Sequence, residues 1–309
     1  MATVEAAQVK AAQRIDGKAL AGAVIAEVRA EVTSILNSGG PAPCLATVHV
    51  GDNPASLSYI KRKEEAAASC GIVSRQLTFE ATVSQEELFK EVHMLSNDMQ
   101  VDGVIVQLPL PDHLERALVT GAVVATKDVD GVSSVHMGAL NGQGFCPCTA
   151  KACLHMIKST GIPLRGKEAV MIGASNTVGI PIMLLLLKEG CTAIVCHIDT
   201  ADAASHARRA DILVVAVGKA GLVRGDWIKP GAVIIDVGIN FVDDPSSKSG
   251  KRLVGDVQVE EARSVAGYIS PVPGGVGPVT VAMLMQNTLA AARNRQCAKK
   301  SWHGRDPGT

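Results

Sequence analysis

Short runs of β-branched and other apolar residues alternate along this chain with segments of helical length, and that alternation restricts the possible fold more than any other feature. Residues 44–50 precede a helical stretch at about 56–70, and residues 102–108 precede another at about 112–124. A second set of runs follows at 168–172, 193–197, 212–217 and 232–237. These later runs lack polar alternation, the pattern of strands covered on both faces. Strand and helix in repetition build βαβ units around a mainly parallel sheet. The glycine- and proline-bearing stretch 130–149 interrupts the rhythm, so the chain is expected to divide near residue 150. The predicted fold class is α/β with two domains and a cleft between them. Residues 1–150, completed by a C-terminal helix at 280–295, are expected to form one α/β domain, and residues 151–279 a second, Rossmann-like domain with a parallel sheet.

Composition narrows the class of function. At 309 residues and 47% hydrophobic, the chain can fill two cores. Thirty basic and 30 acidic side chains cancel, and four Phe, two Tyr and two Trp offer little stacking surface. Without a net positive field or aromatic platforms, nucleic acid is not the expected partner. The longest apolar stretch, 178–187, is broken by Gly179 and Pro181 and falls short of the ~20 residues a membrane span needs. Eight cysteines lie mostly in apolar runs without C-x-x-C pairs, and residues 1–13 lack a secretory h-region. A cytoplasmic protein with reduced thiols and no metal is expected, an organellar transit segment being the alternative.

Run 168–172 leads into Gly173-Ala174-Ser175-Asn176-Thr177-Val178-Gly179 and at once into an apolar helical segment. A glycine turn between strand and helix delivers backbone N–H groups and the positive helix end to a phosphate. Ser175 and Val178 stand where G-x-G-x-x-G has its second and third glycines, so the motif alone fits a dinucleotide site or a structural turn equally. The βαβ series that follows favours the dinucleotide, as do strand-end glycines in Ala216-Val217-Gly218 and Asp236-Val237-Gly238-Ile239-Asn240. An acidic group after the second strand ordinarily holds the ribose hydroxyl of NAD, and Asp199 is at about that place. A 2′-phosphate needs a basic partner, and His197 is the one nearby in sequence. The residues leave NAD and NADP open.

In Ser56-Leu57-Ser58-Tyr59-Ile60-Lys61-Arg62-Lys63 the i, i+4 spacing sets Tyr59 and Lys63 on one helix face. Most helix lysines are solvated, as Lys61 and Arg62 are expected to be. Held beside a strand end in a cleft, a partly desolvated lysine can shed its proton near neutral pH and act as acid or base. Run 101–108 ends in Gln107-Leu108-Pro109-Leu110-Pro111, where two prolines stop the strand. An amide at the carboxyl end of a parallel strand faces the usual ligand crevice, so Gln107 can orient Lys63 or a substrate oxygen, or simply cap the strand. Lys127-Asp128-Val129-Asp130-Gly131 places two carboxylates close together, of which one is expected to reach a given ligand. Pro271-Val272-Pro273-Gly274-Gly275-Val276-Gly277-Pro278 suits a rigid loop or a ligand cradle.

Taken jointly, Tyr59-x-x-x-Lys63, Val106-Gln107-Leu108-Pro109-Leu110-Pro111, Lys127-Asp128-Val129-Asp130-Gly131, Pro147-Cys148-Thr149, Gly173-x-Ser175-x-x-Val178-Gly179-x-Pro181 and the 271–278 loop strongly resemble the methylenetetrahydrofolate dehydrogenase/cyclohydrolase family. The ordered matches run from about residue 15 to residue 292. The resemblance implies a homodimer whose N-terminal domain takes a tetrahydrofolate derivative. It also implies two reactions: hydride transfer from methylenetetrahydrofolate to NADP, then hydrolysis of the methenyl product to formyltetrahydrofolate. By the family pattern Tyr59 stacks on the folate, Lys63 assists proton transfer, Gln107 holds and tunes Lys63, and Asp130 binds the pterin. Val106, Leu108 and the loop residues Pro273, Gly274, Gly275, Val276 and Gly277 line the substrate. Gly173, Ala174, Ser175 and Ile239 match the family's dinucleotide contacts, joined by Thr149, His197 and Thr280. NADP is implied over NAD, although Ala174 stands where many members have Arg and Ile198-Asp199 where they have Ser-Lys or similar.

Two other functions fit part of the pattern: a monofunctional NAD-dependent dehydrogenase, and a non-catalytic folate- or nucleotide-binding protein. Lys63, Gln107 and Asp130 argue against both, since neither needs a water-activating lysine.

Overall fold

The structure, a computed structural model, describes residues 11–133, 144–247 and 250–303. In chain order its elements are β1 (Gln13–Arg14), α1 (Gly17–Asn37), β2 (Cys44–Val50), α2 (Pro54–Cys70), β3 (Val73–Phe79), α3 (Gln85–Asn97), β4 (Gly103–Val106) and α4 (Arg116–Gly121). Then follow α5 (Cys148–Ser159), β5 (Glu168–Ile172), α6 (Gly179–Lys188), β6 (Thr192–Cys196), α7 (Ala203–Ala207), β7 (Ile212–Val215) and β8 (Val233–Asp236). The chain continues with β9 (Asn240–Asp243), β10 (Lys251–Val254), α8 (Val259–Arg263), β11 (Tyr268–Ile269) and α9 (Val276–His303). These elements form two compact units, Ala21–Cys148 with Thr280–Thr309 and Met1–Leu20 with Thr149–Val279.

The first unit is built on a parallel sheet of order β3-β2-β4. Central β2 is buried along its whole length, as a strand covered on both faces must be. On one face Ala46, Val48, Val50, Val104 and Val106 pack with Leu88, Val92 and Leu95 of α3. Each Val or Leu side chain of this set, fully buried, contributes about 1.5–3 kcal/mol. Ser84 starts α3 by accepting a hydrogen bond from the Glu87 N–H at 3.1 Å, and Glu86 and Glu87 place negative charge at the positive helix end. Leu45, Thr47 and His49 alternate with that core row and face the other way.

The second unit holds a six-stranded sheet, β1-β11-β8-β7-β5-β6, with every pairing parallel. The chain leaves β5 for β6 on one side and returns to β7 on the other. That reversal opens a crevice at the carboxyl ends of β5 and β7, the usual ligand position in such sheets. Val170, Ile172, Leu213, Val215 and Ile234 anchor its core.

Several elements depart from expectation. Residues 13–14, assigned with 1–150, pair instead with β11 in the second unit: the Gln13 N–H donates to the Gly267 carbonyl at 2.8 Å and the Ile15 N–H to Ile269 at 2.9 Å. The strand's own side chains are polar and exposed, so no apolar pattern announces it. Helix α9 starts at Val276 rather than 280, since Pro278 falls in the first turn, where its missing N–H is not needed. Asn240–Asp243 and Lys251–Val254 pair antiparallel as β9 and β10, with alternating exposure in β9. Helix α4 covers only part of 112–124, because Pro111 and the residues after it form a turn. Strand β3 and helix α3 had not been singled out; β3 is an edge strand with mixed polarity.

Candidate active site

In the first unit, α2 and the end of β4 bring Lys63 and Gln107 together. Lys63 Nζ donates to Gln107 Oε1 at 3.0 Å, and Gln107 Nε2 donates to the Leu108 carbonyl at 2.6 Å. The Gln107 backbone N–H continues the sheet by donating to the Val48 carbonyl at 2.8 Å, which fixes where its side chain emerges. Leu108-Pro109 is a cis peptide, turning the chain away directly after Gln107. Tyr59, one helical turn before Lys63, is half-buried, and burial pushes its phenol up against the opposing pull of Arg62. Arg62, expected to be free charge, lies with Cζ 5.8 Å from the Tyr59 ring centroid, within cation–π range.

Of the two carboxylates at 128 and 130, Asp128 is structural. It is 3% exposed and accepts from the Gly131 N–H at 3.0 Å and the Ser133 N–H at 2.9 Å, closing a turn. Gly131 has φ +70, and a Cβ there would lie 2.7 Å from the Phe145 carbonyl oxygen. From α9, buried Asn287 donates to the Val129 carbonyl at 2.9 Å and to that of Cys146 at 3.1 Å. The loop so fixed carries Asp130. Burial pushes its carboxyl above the usual range, and the Lys63 ammonium is the strongest influence holding it down. Lys63 thus links Gln107 through a hydrogen bond and Asp130 through charge, with Tyr59 one helical turn away and Val106 and Leu108 flanking Gln107 in sequence. An amine held by one acceptor and under the influence of a nearby carboxyl can pass a proton between water and a substrate atom.

In the second unit, Gly173 has φ +118, and a Cβ on it would stand 2.2 Å from the Ala216 carbonyl oxygen. One on Gly179 would stand 1.9 Å from the Gly173 oxygen, so both positions require glycine. Ser175, in place of the motif's second glycine, caps α6: its Oγ accepts from the Val178 N–H at 3.2 Å and the Gly179 N–H at 3.3 Å. Ala174 adds no charge. Exposed Ile198, Val217 and Ile239 follow the carboxyl ends of β6, β7 and β8, apolar surface suited to flat rings. On the loop after β6 the Asp199 N–H donates to His197 Nδ1 at 3.2 Å, and the Asp199 carboxylate is exposed. The strand-end glycines and the start of α6 fit a dinucleotide.

Two buried carboxylates, missed in sequence, tie this edge together. Asp256 accepts from the Val217 N–H at 2.7 Å, the Gly218 N–H at 3.0 Å and Asn240 Nδ2 at 2.8 Å. Asp236 accepts from the N–H groups of Gly238, Asp256 and Val257, each at 2.9 Å, yet burial pushes it up to about 6. The signal was present as Asp236-x-Gly238 and Gly255-Asp256: a Cβ on Gly255 would lie 1.9 Å from Asp236 Oδ2. Thr149 and the 273–277 loop also belong to this unit, whereas Thr280 belongs to the first. Gly274 has φ +98, while Val276 and Gly277 already lie in α9.

Comparison with known families matches residues 15–130 to the catalytic domain of tetrahydrofolate dehydrogenase/cyclohydrolase and residues 147–296 to its NAD(P)-binding domain. The chain belongs to the tetrahydrofolate dehydrogenase/cyclohydrolase family. It is 46% identical over 286 residues to the bifunctional protein FolD 2 of Arabidopsis thaliana, covering 91% of this chain and 96% of that one. Among solved structures it is similar to the bifunctional FolD of Campylobacter jejuni, with 43% identity and a TM-score of 0.87, covering 92% of this chain and all of that one. It is also similar to the Trypanosoma brucei FolD complexed with NADP and an inhibitor, with 40% identity and a TM-score of 0.88 over 92% and 98% of the two chains.

The two-domain α/β architecture is that of this tetrahydrofolate dehydrogenase/cyclohydrolase family, one domain catalytic and the other NAD(P)-binding. As a member, the chain offers no guanidinium at Ala174 and a carboxylate at Asp199 on the edge where its NAD(P)-binding domain presents glycine turns. No helix among the described residues is long and apolar enough to cross a membrane.

Proposed function

We propose that this chain oxidises methylenetetrahydrofolate to the methenyl form with NADP and hydrolyses the product to formyltetrahydrofolate. The Lys63–Gln107 hydrogen bond, with Asp130 in electrostatic contact, is the observation that carries this reading. NADP supplies the hydride acceptor, and Gly173, Ala174, Ser175, His197 and Ile239 are its proposed contacts, with Thr149 and Thr280. The Trypanosoma brucei relative solved with NADP supports that cofactor over NAD.

Tyr59 offers a ring for the folate, and Asp130 offers a carboxyl for hydrogen-bonding nitrogens of the pterin. In the hydrolytic step the water oxygen bonds to the methenyl carbon while Lys63 accepts its proton. The ring C–N bond then breaks as the carbinol C–OH becomes the formyl C=O; the departing nitrogen takes the proton held by Lys63, and the hydroxyl proton passes to solvent. Gln107 keeps Nζ aimed throughout, which lowers the entropic cost of the transfer. The family pattern also supports a homodimer in the cytoplasm serving one-carbon metabolism and purine synthesis.

The test follows reduced cofactor and methenyl absorbance together after adding methenyl's precursor, methylenetetrahydrofolate, and NADP. Reduced cofactor should form with only transient methenyl. Lasting methenyl would remove the hydrolytic half, and no reduced cofactor would remove the oxidative half. Lys63→Met should abolish hydrolysis of added methenyltetrahydrofolate.

A further inference from the structure

His49 is 1% exposed, and among the described residues neither of its ring nitrogens has a hydrogen-bond partner. An imidazole carries at least one N–H donor in any state, and a buried donor left unpaired costs about 1–3 kcal/mol. Such a group in a strand core calls for a partner supplied from outside the chain.

The sheet register says where that partner would sit. β2 pairs with β4 as Thr47↔Ile105 and Val48↔Val106, and the Gln107 N–H bond to the Val48 carbonyl carries the pairing one step further. His49 therefore stands beside Gln107, on a strand about 4.8 Å away and on the same sheet face. Gln107 Oε1 takes the Lys63 bond and Nε2 the Leu108 bond, leaving one amide proton and one lone pair uncommitted.

We propose that His49 is a positioning residue for hydrolysis: its imidazole and the uncommitted groups of Gln107 hold a water between them. That bridge fixes the Gln107 amide and, through it, Lys63 Nζ. The inference rests on the reading of Lys63 as the hydrolytic base.

The test compares His49→Leu, which removes hydrogen bonding, with His49→Gln, which keeps it. Two rates are read on each protein: hydrolysis of added methenyltetrahydrofolate, which needs no nucleotide, and oxidation of methylenetetrahydrofolate with NADP. His49→Leu should lower the kcat of hydrolysis about tenfold, the loss expected for one hydrogen bond. Its KM and the oxidation rate should stay within about twofold, and His49→Gln should recover most of the lost hydrolysis. An unchanged ratio of the two rates in His49→Leu, or a parallel fall in both, overturns the proposal. His49→Met gives the same reading if the branched leucine does not fold. Failure of the underlying reading is distinct: it appears as wild-type protein without hydrolysis, or as hydrolysis surviving in Lys63→Met.

Discussion

Replacing Arg295 by methionine tests how the C-terminal helix is held to the catalytic unit. The Asp102 side chain is fully buried and that of Arg295 is 14% exposed, with Nε 2.6 Å from Oδ1. Arg295 Nη2 also donates to Oδ2 at 3.1 Å, and the Cys44 N–H donates to the same oxygen at 2.9 Å. Removing one member of a buried pair costs about 3–5 kcal/mol, because the other charge is stranded. Here the cost has a ceiling, since Asp102 can escape by taking a proton. Protonating an ordinary carboxyl near 3.9 at pH 7 costs about 4 kcal/mol, and protonating Asp102 costs less because burial already raises it, so a loss of about 2–3 kcal/mol is expected. Burial already raises Asp102 above its ordinary value, and losing Arg295 raises it further. A carboxyl whose folded value exceeds its unfolded one binds more protons folded, so stability falls as pH rises between the two values. The deficit of Arg295→Met should therefore be small near pH 4 and full near pH 7. Urea unfolding followed by circular dichroism at both pH values measures it, with Asp102→Leu/Arg295→Met expected to recover to within about 1 kcal/mol of wild type. A loss below about 1 kcal/mol at pH 7, or one indifferent to pH, would refute the reasoning.

Other substitutions probe the two sites. Gly131→Ala forces a side chain into a left-handed conformation against the Phe145 carbonyl, at about 1–2 kcal/mol before the clash; it should lower the melting temperature and cut hydrolysis more than oxidation is cut by a surface control. Asp256→Asn points an amide N–H at donors from Val217 and Gly218 or at Asn240, and should raise the KM for NADP about tenfold while nucleotide-free hydrolysis stays near wild type. Asp199→Lys should shift the ratio of kcat/KM toward NADP over NAD about tenfold, and an unmoved ratio would show that this loop does not face the 2′ position. Because Asp236 is pushed up to about 6, its ionisation should remove up to about 3 kcal/mol of stability as pH rises from about 4 to 6, read as a falling urea midpoint that Asp236→Asn flattens.

The interior strands were legible because burial on both faces writes itself as unbroken apolar runs, as in β7 and β8. β1 was not, since its two residues join the sheet through backbone hydrogen bonds while their polar side chains stay exposed, which leaves no apolar pattern. Lys63 and Gln107 were legible through helix spacing and strand-end position. The division of labour between Asp128 and Asp130 was not, because it depends on which carboxyl meets the N–H groups of the turn. Asp236 and Asp256 were hidden for a related reason: a buried carboxylate satisfied by backbone donors looks in sequence like any loop acid.

The pairing of β1 with β11 bears on how the polypeptide can be made and cut. The chain passes between the two units at 20/21, 148/149 and 279/280, so neither is a continuous segment. The nucleotide sheet closes only when residues 268–269 meet residues 13–14, and the catalytic unit only when Asn287 and Arg295 reach Val129 and Asp102. On a ribosome, both closures wait until most of the chain has emerged, and each joins residues far apart in sequence, a slow kind of contact to form. A fragment ended near residue 150 would keep β1 without its partner strand and leave the Asp102 carboxylate without its cation.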